Sequence, residues 1–215
     1  MLYGPLVEDS RWDSIADALY QQALAQQIIP PGYEQEVFVD VRHTRMAAFA
    51  QRHGFPARPL ENHMKWERAH LARLPEVNAA LVPYEPADAD LFIALHDRLF
   101  PETYYRGAAI LERLGEQDRL FISRGADGTV NGYIYAKIDT DNREGYIDYI
   151  GVAESVRRQG LGRALVAHAM RWLLTDPQVE SIALTVMGEN AAAIALYQGL
   201  GYTLRQTLVP YRKEG

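Results

Sequence analysis

Arg157-Arg158-Gln159-Gly160-Leu161-Gly162 decides the reading of this chain. The residues before it, from Tyr146 to Val152, include Ile147, Tyr149, Ile150 and Val152 and have the β-branched and aromatic content of a strand. After it, Leu161, Leu165, His168, Ala169, Trp172 and Leu173 recur at helical spacing. The glycines therefore fall in a strand-to-helix turn. Backbone without side chains can approach a ligand closely there, and the first N–H groups of the helix face an anion. Arg157 and Arg158 add positive charge at the same place, so the turn suits a phosphate. A dinucleotide fingerprint fits less well, because Gly160-x-Gly162-x-x-Leu165 carries leucine where that motif needs a small residue. A plain structural turn is the other reading of the string taken alone.

A second segment supports the ligand. A strand expected over 181–187 leads into Glu189-Asn190-Ala191-Ala192-Ala193-Ile194-Ala195-Leu196-Tyr197-Gln198-Gly199-Leu200-Gly201-Tyr202. Asn190 and Tyr197 share one helix face, about 10 Å apart along its axis, so one extended molecule can touch both.

With both segments on the page, the chain resembles the GNAT superfamily of acyl-CoA-dependent N-acyltransferases. Ile150-Gly151-Val152 with residues 157–162 look like the family's RxxGxG pyrophosphate loop, and Asn190, Tyr197 and Gly201-Tyr202 look like its second motif. The resemblance covers about Leu81 to the C-terminus. It implies an α/β fold, a mixed central sheet flanked by helices. It also implies an N-acetyltransferase that moves an acetyl group from acetyl-CoA to a primary amine by direct attack. On this resemblance, Ile150, Gly151 and Val152 pair with the pantetheine arm of acetyl-CoA. Arg157, Arg158, Gln159, Gly160, Leu161 and Gly162 meet its pyrophosphate, Asn190 and Tyr197 line it, and Tyr197 protonates the departing thiolate. The other reading of Tyr197 is a core aromatic beside Ile194 and Leu196. Asp148 is the candidate general base. Glu144 shares its strand parity and the face of Tyr146, and is the weaker candidate, as a strand-end charge. A non-catalytic acyl-CoA-binding or structural module is the alternative function.

Composition narrows the partners. The chain has 215 residues, 48% hydrophobic and 23% charged, enough for one large or two small packed domains. A formal charge of −6 argues against broad nucleic-acid binding. No apolar run is long enough to cross a bilayer and no basic-then-apolar leader opens the chain, so no membrane partner and a cytoplasmic location are expected. The chain has no cysteine, which excludes disulfides, thiolate metal sites and cysteine nucleophiles. The histidines show no ligand spacing, and no metal is expected. The acceptor, a small-molecule or peptide amine, is expected among His96, Phe100, Tyr104, Tyr105 and Tyr149, aromatics that would equally suit a core.

The first part of the chain reads as a half-length repeat. Placing Gly54-Phe55 over Gly201-Tyr202 sets Val37 over Leu184, Val39 over Val186, Ala48 over Ala195, Gln51 over Gln198 and Pro30 over Pro177, without a gap. Ala50 then stands in the place of Tyr197, His43 in that of Asn190 and Asp13 in that of Gly160. Residues 1–75 are accordingly expected to be a degenerate GNAT-like half-domain that has lost its chemistry, and 78–215 the catalytic domain. The half-domain would complete a sheet or an interface, which leaves a homodimer open. Helices are expected over 12–27, 87–100, 103–114, 160–174 and 190–200. Strands are expected over 79–84, 119–123, 130–138, 145–152, 181–186 and 202–209.

Overall fold

The computed structural model describes residues 10–74, 76 and 81–214. They divide into two compact units. Among the described residues the smaller takes in 10–62, 187–189 and 206–214, and the larger 63–74, 76, 81–186 and 190–205. Eight strands and six α-helices follow one another as α1 (Trp12–Ala25), β1 (Gln35–Asp40), α2 (Thr44–Arg52), β2 (Glu61–Glu67), β3 (Val82–Pro83), α3 (Ala89–Leu99), α4 (Gly107–Leu111), β4 (Asp118–Arg124), β5 (Val130–Asp139), β6 (Glu144–Val152), α5 (Leu161–Leu173), β7 (Ser181–Met187), α6 (Ala191–Gly199) and β8 (Thr203–Lys213). Part of the strand expected over 79–84 lies outside the described residues; its described portion is β3.

In the larger unit the strand order is β2-β7-β6-β5-β4-β3. β4, β5 and β6 form an antiparallel meander, whereas β6 and β7 run parallel with α5 as their crossover. One face of this sheet packs on α5. Ile134, Ala136 and Ile147 meet Leu165, Val166, Ala169, Met170 and Leu173 in one buried cluster. Gly132 makes the approach possible, since a Cβ there would lie 2.9 Å from the carbonyl oxygen of Gly151 and 3.2 Å from Leu161 and Leu165 side-chain carbons. On the other face Tyr133, Tyr135, Leu120 and Ile122 pack with Phe92, Leu95 and Ile110 of α3 and α4. Here α4 is shorter than the helix expected over 103–114. Tyr105 has both backbone groups committed elsewhere, its N–H to the Tyr149 hydroxyl and its C=O to the His96 ring. Residues 101–106 are thereby held as a loop against the sheet.

A buried ion pair anchors the start of α3. The Asp88 side chain is 6% exposed and accepts two hydrogen bonds from the Arg124 guanidinium, at 2.8 and 2.7 Å, and a third from the Glu85 N–H at 3.0 Å. The Arg124 hydrogen bond holds the Asp88 carboxyl below the usual carboxylate range. An aspartate with a depressed folded-state pKa stabilises above its unfolded value near 3.9, and that contribution is lost as pH falls through the folded value. We expect Asp88→Asn to cost about 2 kcal/mol in urea denaturation at pH 7. The difference from wild type should shrink below about pH 4. A gap that stayed constant down to pH 2.5 would show that the charge is not what stabilises.

The smaller unit pairs β1 antiparallel with β8, Gln35 opposite Lys213 through Asp40 opposite Leu208. Val39, Ala50, Phe55 and Tyr211 are buried together, and Trp12, Ala16 and Phe49 form a second cluster between α1 and α2. Phe38 points to the other face of β1 and is 50% exposed, whereas Phe49 is buried.

α2 and α6 are alike at both ends. α2 and α6 have the same length, nine residues. Their caps, His43 (φ −92°, ψ 70°) and Asn190 (φ −82°, ψ 68°), each accept from the N–H three residues on, at 3.1 Å. Each helix ends on a left-handed glycine, Gly54 at φ 74° and Gly201 at φ 95°. The next N–H then returns to the helix, Phe55 to Ala50 at 2.9 Å and Tyr202 to Tyr197 at 3.0 Å. The strands that follow these turns are exchanged. β8 lies beside β1 in the smaller unit, and β2 lies beside β7 in the larger. β2 thus brings Met64 and Trp66, each 1% exposed, into the core around Tyr197, Leu200 and Tyr202. Just past it, Arg68 donates to the carbonyls of Leu174, Asp176 and Val179 at the end of α5.

Candidate active site

β6 and β7 pair only from Glu144 to Ile147 and from Ser181 to Leu184. β6 nevertheless continues to Val152, paired on its other side with β5. Among the described residues no strand pairs with its β7 side from Asp148 onward, which leaves that edge of the ladder open. The open edge leads directly to the glycine turn. Gly160 caps α5 in the left-handed region at φ 84°, and an added Cβ would meet nothing within 4 Å. Any other residue there would be strained, and its side chain would stand in open space. The free N–H groups of the first turn of α5 face the same way. Arg157, Arg158, Gln159 and Gly160 are all exposed, and Arg157 Nε donates to the Val152 carbonyl at 3.2 Å, which holds its guanidinium beside the strand end.

The register slips once in this strand, where Tyr135 faces Tyr149 but Ala136 faces Ile147. Asp148 is the extra residue, a β-bulge that the even alternation of the sequence conceals. The bulge changes which side chains face α5. Gly145 and Ile147 do so before it, Ile150 and Val152 after it, while Tyr149 and Gly151 pack on the α3 side. Asp148 is 14% exposed and its Oδ2 lies 2.9 Å from the Lys137 ammonium. Burial pushes its carboxyl up, and Lys137 draws it part of the way back. Glu144 is engaged at the strand end, accepting from Ser181 Oγ at 2.9 Å and pairing with Lys65 at 3.1 Å. Lys137 gave no signal in the sequence, where it reads as an ordinary strand lysine.

On α6, Asn190 spends its carbonyl oxygen on the helix cap and is exposed, so its amide protons remain for a ligand. Tyr197 is 5% exposed and packs edge-on against Tyr202, ring centres 5.9 Å apart. Burial pushes its hydroxyl up to about 12.

The aromatics expected around the acceptor separate into two kinds. His96 is core, fully buried, with Nε2 donating to the Tyr105 carbonyl at 2.8 Å and Nδ1 accepting from the Tyr133 hydroxyl at 2.6 Å. Burial lowers its pKa and keeps the ring neutral. Phe100 and Tyr149 pack beside it, and the Tyr149 hydroxyl accepts from Thr103 Oγ1 at 2.7 Å. Tyr104 is 83% exposed at the tip of this pinned loop. Among the described residues no cluster of side chains suits a metal, and no helix is long and apolar enough to cross a membrane.

The model of the acetyltransferase (GNAT) family matches residues 88–202, over half of the chain. The chain belongs to that family. This GNAT acetyltransferase is 30% identical over 138 residues to an N-alpha-acetyltransferase of Sulfurisphaera tokodaii, covering 60% of this chain and 82% of the relative. It is 32% identical over 155 residues to a mycothiol acetyltransferase of Saccharomonospora viridis, covering 65% of this chain and 50% of the relative. Among solved structures, a tandem GNAT protein from the clavulanic acid biosynthesis pathway superposes with a TM-score of 0.70 at 22% identity, over 96% of this chain and 71% of its own. A GCN5-related N-acetyltransferase from Sphaerobacter thermophilus superposes with a TM-score of 0.68 at 17% identity, over 95% of this chain and 69% of its own. The two superpositions establish the fold along nearly the whole chain.

Proposed function

We propose that this acetyltransferase takes its acetyl group from acetyl-CoA and passes it to a primary amine by direct attack on the thioester. The observation that carries the reading is the open edge of β6 from Asp148 to Val152, which runs into the glycine turn at Gly160. The pantetheine amides continue the ladder at Ile150, Gly151 and Val152. The pyrophosphate meets the backbone from Arg157 to Gly162, and Asn190 and Tyr197 line the arm from α6. Residues 78–215 carry this site. Residues 1–75, whose strand β2 packs in the larger unit, are a degenerate half-repeat without one, since α1 is capped by Arg11 at φ −86° and not by a left-handed glycine, and Ala50 stands in the place of Tyr197.

Within this reading Asp148 accepts the proton of the entering amine, directly or through one water. The neutral nitrogen attacks the thioester carbonyl, the carbon–sulfur bond breaks as Tyr197 gives its proton to the thiolate, and the proton left on the acylated nitrogen returns to the phenolate. Its raised pKa keeps Tyr197 protonated at every working pH, so the acid limb of the pH profile belongs to Asp148 and not to the phenol. The names of the relatives, N-alpha-acetyltransferase and mycothiol acetyltransferase, put an α-amine and a thiol-bearing amine among the acceptors to try. The test is release of CoA thiol from acetyl-CoA with a panel of a free-N-terminus peptide, lysine, spermidine, an aminoglycoside and a cysteinyl amine. Amine-dependent release is expected with at least one of them. Tight binding of acetyl-CoA with no release above hydrolysis for any amine would favour a module that only binds.

A further inference from the structure

We propose that Lys137 is a positioning residue for the transfer reaction, its ammonium holding Asp148 ionised and oriented to receive the acceptor's proton. This rests on the reading of Asp148 as the base. The ammonium donates a hydrogen bond to Asp148 Oδ1 at 3.3 Å and lies 2.9 Å from the buried Oδ2 in ion-pair contact. Its own place is fixed from β5, where Lys137 stands opposite Tyr146 in the ladder and its nitrogen sits 5.2 Å from the centre of that ring. The bulge displaces Asp148 from the ladder, and the cation one strand away fixes the carboxylate.

The other charged and titratable groups facing Asp148 do not substitute for Lys137. Asp118 of β4 accepts from the Tyr135 hydroxyl of β5 and adds negative charge. Arg113, after α4, lies over the Tyr105 ring at 4.1 Å and acts on Asp148 only through space. Tyr146 and Tyr149, on its own strand, are phenols, the first paired with Thr185 at 2.6 Å and the second with Thr103. Lys137 is the cation in direct contact. A carboxylate with so little water and no cation beside it holds its proton, and a protonated acid cannot take another. Burial by itself would make Lys137 release its proton more readily. The Asp148 hydrogen bond and charge outweigh that and keep it charged.

The test compares full-length wild type with Lys137→Met and Lys137→Arg, using thermal melting to confirm folding. Carbon-13 labelling of aspartate, with Asp148→Asn to assign the signal, reads the Asp148 titration directly. The acid limb of kcat/KM, measured with acetyl-CoA and the best amine of the panel, reads its consequence. Removing the cation should raise the Asp148 midpoint and the acid limb together by about one unit or more, and arginine should restore most of both. An unmoved carbon-13 midpoint in folded Lys137→Met overturns the coupling. A midpoint that moves while Asp148→Asn keeps full turnover overturns the base reading itself, and the positioning role with it.

Discussion

Tyr197→Phe is expected to lower turnover about a hundredfold or more while the Michaelis constant for acetyl-CoA stays within about twofold. Phenylalanine keeps the ring that packs against Tyr202, and Tyr197 belongs to the same buried cluster as Leu165, Leu200 and Tyr202, so the fold around α6 should stand. What is lost is one proton. A general acid acts on the departing thiolate in the transition state and does little for the bound thioester, so the loss should fall on kcat. The hydroxyl, pushed up to about 12 by burial, remains protonated well above neutrality, and its ionisation should not limit the alkaline side below that value. Stopped-flow detection of free thiol in a single turnover isolates the chemical step. Unchanged single-turnover rates in the variant would remove Tyr197 from the mechanism.

Trp66→Ala should cost about 3–5 kcal/mol, a large part of the stability of an ordinary domain. Trp66 comes from β2, far in sequence from α6, yet it is 1% exposed within the core that holds Tyr197 and Tyr202. The glycine that ends α6 is in contact with it, since a Cβ on Gly201 would stand 3.3 Å from the indole nitrogen. Strand exchange is the reason, because the larger unit borrows the strand beside β7 from before residue 68. A chain cut at residue 75 would lose β2 and Arg68 with it and should fail to fold. Urea unfolding of Trp66→Ala provides the number. A loss below about 1 kcal/mol would mean that the larger unit does not depend on this strand.

The parts of the fold that repeat locally were legible in the sequence. α5 and α6 keep helical spacing, β6 and β7 are dense in β-branched and apolar residues, and the glycine turn sits where strand pattern gives way to helix pattern. α4 was less so. The apolar spacing of residues 103–114 suggests a long helix, but the capture of Tyr105 by Tyr149 and His96 decides where it begins, and those partners are distant in sequence. The bulge at Asp148 is invisible for a related reason. Tyr146 and Asp148 alternate as an even strand would, and only the mismatch with β5 shows that one residue has been added. His96 reads equally as a pocket residue, because helix-spaced aromatics fit core and pocket alike; a carbonyl and a phenol hydroxyl on its two nitrogens decide for core. Exchange of β2 and β8 leaves no local trace, since either strand would read the same beside its own repeat.

Each chain is expected to seat one acetyl-CoA, on the open edge of β6 and the turn at Gly160. Calorimetric titration of the full chain with acetyl-CoA tests it most directly, run beside Gly160→Val. A single site is expected in wild type. Affinity is expected to be at least about tenfold weaker in a folded Gly160→Val, where a branched side chain enters the ligand's space on a backbone at φ 84°. Two equivalent sites per chain, or equal affinity in the folded variant, would contradict it.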